Sequence, residues 1–148
     1  MSIPPLNDRA LLPEGIHDCS LEELRTRFGS FEGNDRRPRL WSALSAFVTE
    51  LKAAGVGAVL LIDGSFVTAK STPEDIDLIL LLPAGHDLYR ELTPAEYNVL
   101  SARRVRQRHR LDLLVAREGS DEHRRYMKLF QQVRLEPERT KGILRLRL

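Results

Sequence analysis

Two aspartates one residue apart, Asp75 and Asp77, stand where a polar stretch gives way to the apolar run LILLLP. They close the segment DGSFVTAKSTPEDIDL (63–78), which begins where an earlier apolar run ends at Gly64-Ser65. Alternation along a strand puts residues i and i+2 on one face, so Asp75 and Asp77 are expected to share one. At a separation of ~4 Å and an effective dielectric of ~20, their repulsion is on the order of 4 kcal/mol. A hard divalent cation with oxygen ligands, Mg²⁺, is the natural offset. A third carboxylate, Asp112, stands inside the apolar run RLDLLV, where a lone buried charge would be costly. If that run forms a strand beside the one entered by Asp77, the three carboxylates can hold two metal ions ~3.5–4 Å apart. One ion would activate an incoming hydroxyl and the other would steady phosphates and leaving group. The expected catalytic and metal-ligating residues are therefore Asp75, Asp77 and Asp112.

Gly64 lets the backbone come close to a phosphate, while the Ser65 hydroxyl and neighbouring amides can donate to it. Lys70 and Thr68, in the same loop, could reach the phosphates of a bound nucleotide. Alone, an Asp-x-Asp pair reads as a solvated turn, and a Gly-Ser pair carries less still. The nine residues between them, the flanking strands and Asp112 give the combination its meaning. A covalent role for Ser65 is not expected, because no histidine lies near it in sequence to activate it.

The elements that must position these residues follow from local signals. Residues 1–15, with Pro4, Pro5 and Pro13, read as an extended arm. Ser20 and Glu23 have the spacing of a capping box for a short helix that stops near Gly29. After the loop 29–35, Leu40, Trp41, Leu44, Phe47, Val48 and Leu51 recur at helical spacing, with Asn34 or Asp35 as cap and Gly55 closing the end. Val56–Ile62 and Leu78–Leu82 are short runs apolar on both faces, the mark of strands in a sheet covered on both sides. Thr93–Arg103 is expected to be helical, Arg110–Val115 a strand, Ser120–Val133 an amphipathic helix and Gly142–Leu148 a half-exposed strand. The order α, β, loop, β, α, β, α, β predicts a single α/β (α+β) domain on a small mixed sheet flanked by helices. Residues 1–35 would form the arm and short helix, and 36–148 the domain proper.

A length of 148 residues allows one domain with a substantial core. Cys19 is the single cysteine, which excludes a disulfide framework or a cysteine-based zinc site. The apolar runs are far shorter than the ~20 residues a bilayer span takes, and the N-terminus has neither basic nor apolar leader regions. A soluble, cytoplasmic protein is expected. The net charge of +2 hides an asymmetry: residues 103–148 carry 14 Lys/Arg against 6 Asp/Glu, and residues 1–102 carry 9 against 15. Such a basic C-terminal third suits an anionic partner, or simply a solvated arginine-rich surface. Within it, Arg103, Arg104, Arg106, Arg108 and Arg110 could line a nucleotide or an RNA acceptor. No aromatic residues interleave them to stack bases, so an exposed helix end and linker is the competing reading. His17, His86, His109 and His123 show no pairing at metal-ligand spacing and read as surface or structural.

Gly-Ser, a short spacer, Asp-x-Asp entering a strand and a later hydrophobic-Asp-hydrophobic strand together resemble the nucleotidyltransferase fold of the DNA polymerase beta superfamily. The resemblance covers residues 36–116, with Pro38–Ala54 as the preceding helix. More narrowly, LPEGIH (12–17), GSFVTAK (64–70) and KGI (141–143) are similar to a family of small prokaryotic proteins assigned to that fold, and this match spans nearly the whole chain. The broader resemblance implies Mg²⁺ on Asp75, Asp77 and Asp112, and a nucleoside triphosphate on Gly64 and Ser65. It implies transfer of an NMP from that triphosphate to a hydroxyl of a protein or RNA acceptor, in a toxin–antitoxin or defence setting. A non-catalytic antitoxin or binding subunit, and a metal-dependent nuclease, are the alternatives. Where minimal relatives carry Ala-Arg-Gly after Gly-Ser, this chain has Phe66-Val67-Thr68-Ala69-Lys70. It also lacks the long helical domain of larger relatives, so a protein partner or a homodimer is expected to complete the acceptor side.

Overall fold

The computed structural model describes residues 3–57, 59–133 and 136–148. A five-stranded mixed sheet has the order β1-β7-β2-β3-β4, from Ile16–Cys19 (β1), Ile143–Arg147 (β7), Val59–Asp63 (β2), Asp77–Leu82 (β3) and Asp112–Arg117 (β4). β2 runs antiparallel to both β3 and β7, while β4 is parallel to β3 and β1 parallel to β7. Gln132–Val133 (β5) and Glu136–Thr140 (β6) form a separate two-stranded sheet. The helices are Leu21–Phe28 (α1), Arg36–Ala54 (α2), Pro94–Leu100 (α3), Ala102–His109 (α4) and Asp121–Gln131 (α5).

The doubly apolar strands are covered on both faces, as their composition requires. Alternate residues Leu60, Ile62, Leu78, Leu80 and Leu82 face a core completed by Leu44, Phe47, Val48 and Leu51 of α2, with Val99 and Val105. The intervening Val59, Leu61, Ile79 and Leu81 face a smaller cluster with Ala116, Phe130 and Ile143, closed by Tyr126 and Met127 of α5. In α2 the predicted stripe holds, with Leu40 and Trp41 half-buried at its margin. Asp35 occupies the N-cap without a side-chain bond, and the Asn34 carboxamide accepts from the Arg36 amide instead. The Ser20–Glu23 capping box forms as expected.

Four local expectations change, the first being that the helix expected over 120–133 ends at Gln131 and Gln132–Val133 turn into β5. The helix predicted over 93–103 breaks at Ser101, whose extended backbone ends α3 and whose hydroxyl accepts from the Arg104 amide to start α4. The arginine tract is therefore itself a helix, not a helix end and linker. Arg110 then takes a left-handed conformation (φ 59°), which delays the strand expected at 110 until Asp112. Finally, β1 joins the sheet edge although IHDC has too little apolar alternation to announce a strand. The stretch 1–35 thus supplies a strand to the sheet, and Ile3, Leu12, Leu24 and Phe28 to the core.

The short motifs at the two ends of the chain meet. Gly142 is buried against Pro13, so closely that a Cβ there would lie 1.9 Å from the Pro13 carbonyl oxygen. The Gly142 amide donates to Leu12, the Ile143 amide to Gly15, and His17 Nε2 lies 2.7 Å from the Pro13 oxygen. LPEGIH and KGI are one contact seen from its two sides, and that contact sets where Lys141 stands.

Candidate metal centre

Strand register builds the acidic cluster. β2 ends at Asp63, opposite Asp77 at the start of β3, and Asp77 is opposite Asp112 at the start of β4. Three aspartates therefore lie side by side across three strands. Asp75 precedes β3 and reaches the cluster from the loop, so strand alternation is not what aligns it with Asp77. Asp75, Asp77 and Asp112 each offer a carboxylate oxygen, and these oxygens all lie within 4.8 Å of one another. The expected triad is brought together. Asp112 differs from its expected setting, since its side chain is half exposed at an edge strand and pairs with Arg106 (3.1 Å). No desolvation cost demands a metal there.

The Gly-Ser turn is held tightly. Gly64 has φ 98°, ψ 178°, and a Cβ on it would meet the Asp75 oxygen at 2.9 Å and the Asp77 nitrogen at 3.0 Å. Only glycine tolerates that backbone beside that neighbour. The Ser65 hydroxyl and amide both donate to Asp75 Oδ1 (2.6 and 2.8 Å), and the hydroxyl accepts from the Glu74 and Asp75 amides. Ser65 is thus committed to orienting Asp75. Thr68 lines the cleft and donates to the Ser65 carbonyl. Lys70 lies on the exposed side of the loop, 3.4 Å from Glu74, and is not part of the cleft lining.

Three residues of this architecture escape sequence reasoning. Asp63 is 5% exposed and is met by Lys141 Nζ at 3.0 and 2.9 Å. Burial pushes the Asp63 carboxyl up, and the Lys141 ammonium opposes that shift. Arg37, buried in the first turn of α2, donates to the carbonyls of Phe28, Phe66, Thr68 and Lys70 (2.6–3.1 Å), with Glu32 3.4 Å from its Nε. It clamps the loop 66–70 from below. The adjacency of Asp63 to Gly64 and of Lys141 to Gly142 was the one signal available; nothing marked Arg37.

An open cleft of about 1110 Å³ surrounds the cluster. One side is apolar, with Leu111, Leu114, Leu129, Phe130 and Val133, and α4 contributes Arg103 and Arg106. The other arginines of the tract diverge: Arg104 donates to Asn98, Arg108 grips Glu50 at 2.8 and 2.5 Å, and Arg110 is exposed outside the cleft lining. Burial first, then the carboxylates of Asp75, Asp63 and Asp112, push the Asp77 carboxyl up to about 6. The donor set fits a hard divalent cation. Asp63 and Lys141 cancel, and three carboxylates less the Arg106 guanidinium leave two negative charges.

Fold and site define a small α/β domain with three carboxylates gathered where β3 and the edge strand β4 begin. The chain matches the family described as "Family of unknown function (DUF6932)" over residues 4–147, and it belongs to that family. No curated protein and no solved structure matches it. Among the described residues no helix is long and apolar enough to cross a membrane.

Proposed function

We propose that the protein is a Mg²⁺-dependent nucleotidyltransferase that moves an NMP from an NTP to a hydroxyl of a protein or RNA acceptor. The observation that carries this reading is the register Asp77–Asp112 with Asp75 alongside, which gathers three oxygen ligands within 4.8 Å beside an open cleft. Asp75, Asp77 and Asp112 would hold the Mg²⁺, which when bound neutralises phosphate charge and makes an acceptor hydroxyl more acidic. Ser65 fixes the Asp75 carboxylate by two hydrogen bonds, so that ligand is oriented before anything binds. Asp112 is solvent-accessible and stands where it can take the proton of an incoming hydroxyl. The hydroxyl oxygen bonds to the α-phosphorus as the bond to the β-phosphate oxygen breaks, and pyrophosphate leaves. The apolar wall of Leu114, Leu129 and Phe130 gives the organic part of the nucleotide a surface to lie on. A partner protein or a second copy of the chain would supply the rest of the acceptor site.

The test is incubation with each α-labelled NTP and Mg²⁺, with RNA and with candidate protein acceptors. Label transfer that disappears in Asp77→Asn supports the proposal. Strand cleavage without label transfer would replace it with a nuclease. Failure of every NTP to bind, with Asp77→Ala behaving as wild type, would leave a non-catalytic binding subunit.

A further inference from the structure

The cleft holds three cations among its described lining residues, Arg103, Arg106 and Lys141, and they are not equivalent. Lys141 is committed to the buried Asp63 at 3.0 and 2.9 Å. Arg106 touches the cluster through a single contact, Nη1 to Asp112 Oδ1 at 3.1 Å, with a marginal 3.5 Å approach to the Arg110 carbonyl. Its side chain is 61% exposed and that of Asp112 50%, so the pair is held weakly and solvent reaches it. Arg103 lies one helical turn before Arg106 on α4, faces the same cleft, and shows no ion pair or side-chain hydrogen bond among the described residues.

Asp112 is a ligand that Arg106 and a divalent cation cannot both hold comfortably, since a double positive charge on that carboxylate repels the guanidinium beside it. Displacement costs Arg106 one exposed contact and leaves it next to Arg103, over a cleft that has just gained positive charge. Two guanidinia one turn apart on the same cleft wall offer planar N–H donors, the donor type that suits the oxygens of a phosphate-class anion. We propose that Arg106 is an exchangeable counter-ion of the acidic cluster. It holds Asp112 in the metal-free protein and, once a divalent cation takes that carboxylate, turns with Arg103 onto a phosphate-class oxyanion in the same cleft. The inference rests on the metal reading of Asp75, Asp77 and Asp112. It adds that cation and anion bind cooperatively and that α4 supplies the anion site. By linkage, each ligand tightens the other by the same factor.

The test uses Mn²⁺, followed by its electron paramagnetic resonance, and sulfate, an oxyanion that scarcely chelates Mn²⁺, against chloride at matched ionic strength. Removing a weakly held competitor should tighten Mn²⁺ binding about twofold to fivefold in Arg106→Gln, and clearly less in Arg103→Gln. Sulfate should tighten Mn²⁺ binding in the wild type and lose that effect in both variants. A merely bystanding positive charge would not produce the sulfate coupling. Unchanged Mn²⁺ affinity in Arg106→Gln, or a sulfate effect equal in wild type and variant, overturns the exchange while leaving the metal site standing. If the wild type binds Mn²⁺ no better than Asp77→Asn, the metal reading itself fails and the exchange falls with it.

Discussion

On one side of Asp77, Asp63 lies buried against Lys141; on the other, Asp112 meets Arg106 in the open. The outer two both pair in register with Asp77, Asp63 at the end of antiparallel β2 and Asp112 at the start of parallel β4, so cross-strand register alone does not set their surroundings. Position in the sheet does. β2 is flanked by strands on both sides and covered on both faces, whereas β4 is an edge strand. A carboxylate at the end of β2 must therefore bring its own cation, and the contact between Gly142 and Pro13 delivers one. At the start of β4 water can solvate the carboxylate, and a loosely held guanidinium suffices. The inner pair is structural in consequence, and the outer pair is free to exchange partners.

Breaking the inner pair is expected to have the largest effect. Lys141→Met leaves Asp63 buried and unpaired, which should cost about 3 kcal/mol, toward the low end for such a loss because Lys141 keeps some solvent contact. Urea denaturation measures it, and Asp63→Asn combined with Lys141→Met should recover most of the loss. A single-variant cost below about 1 kcal/mol would make the inner pair no different from the outer one.

Next in size is the turn that follows Asp63. Gly64→Ala forces a side chain into a backbone conformation almost reserved for glycine, with the Asp75 carbonyl 2.9 Å away. A loss on the order of 2 kcal/mol is expected, together with weaker Mn²⁺ binding, because Asp75 must shift. Full stability in this variant would show that the turn is not what holds Asp75.

A smaller effect, because solvent at the half-buried side chain screens it, concerns the residue between the two pairs. Burial and three neighbouring carboxylates raise the Asp77 carboxyl to about 6, above its unfolded value of about 3.9. Between those values the folded state keeps a proton that the unfolded state has lost, so this group's contribution to stability falls as pH rises through that window. Asp77→Asn removes the penalty. Its stability relative to wild type should be near zero at pH 4 and should grow to a plateau above pH 6. Metal affinity runs the other way, weakening as pH drops below about 6, since the ligand must be ionised. A stability difference that does not change with pH would show that Asp77 ionises normally beside its neighbours.

The parts of this arrangement that local pattern can carry were readable. Asp77 and Asp112 each stand at the head of a strongly apolar strand, and one register brings them together. Gly55 and the Ser20–Glu23 box fix helix ends through contacts within a few residues. Local pattern fails where a partner is chosen through space. Lys141 reaches Asp63 across 78 residues, and Arg37 serves four carbonyls whose need for a donor no side chain advertises. Ser65 shows the same limit at short range. Its hydroxyl suits a phosphate, but the loop folds back and spends it on Asp75. The break at Ser101 was a matter of competing local signals, and the cap won over helix propensity on either side.

The outer pair should yield the smallest stability change of all. Both side chains of Arg106 and Asp112 are half exposed or more, and the contact between them is a single 3.1 Å bond. Exposed pairs of this kind contribute about 0–1 kcal/mol, because water recovers most of what the contact gives up and an ordered arginine regains its freedom. Arg106 also lies in the last turn of α4, where a cation is favoured by the helix dipole, so its replacement by glutamine forfeits a few tenths of a kcal/mol more. The unfolding free energy of Arg106→Gln from urea denaturation is therefore expected within about 1 kcal/mol of wild type, a fraction of the Lys141→Met loss. A deficit as large as that of Lys141→Met would mean that Asp112 depends on its cation as Asp63 does, and the division between a fixed and an exchangeable pair would collapse.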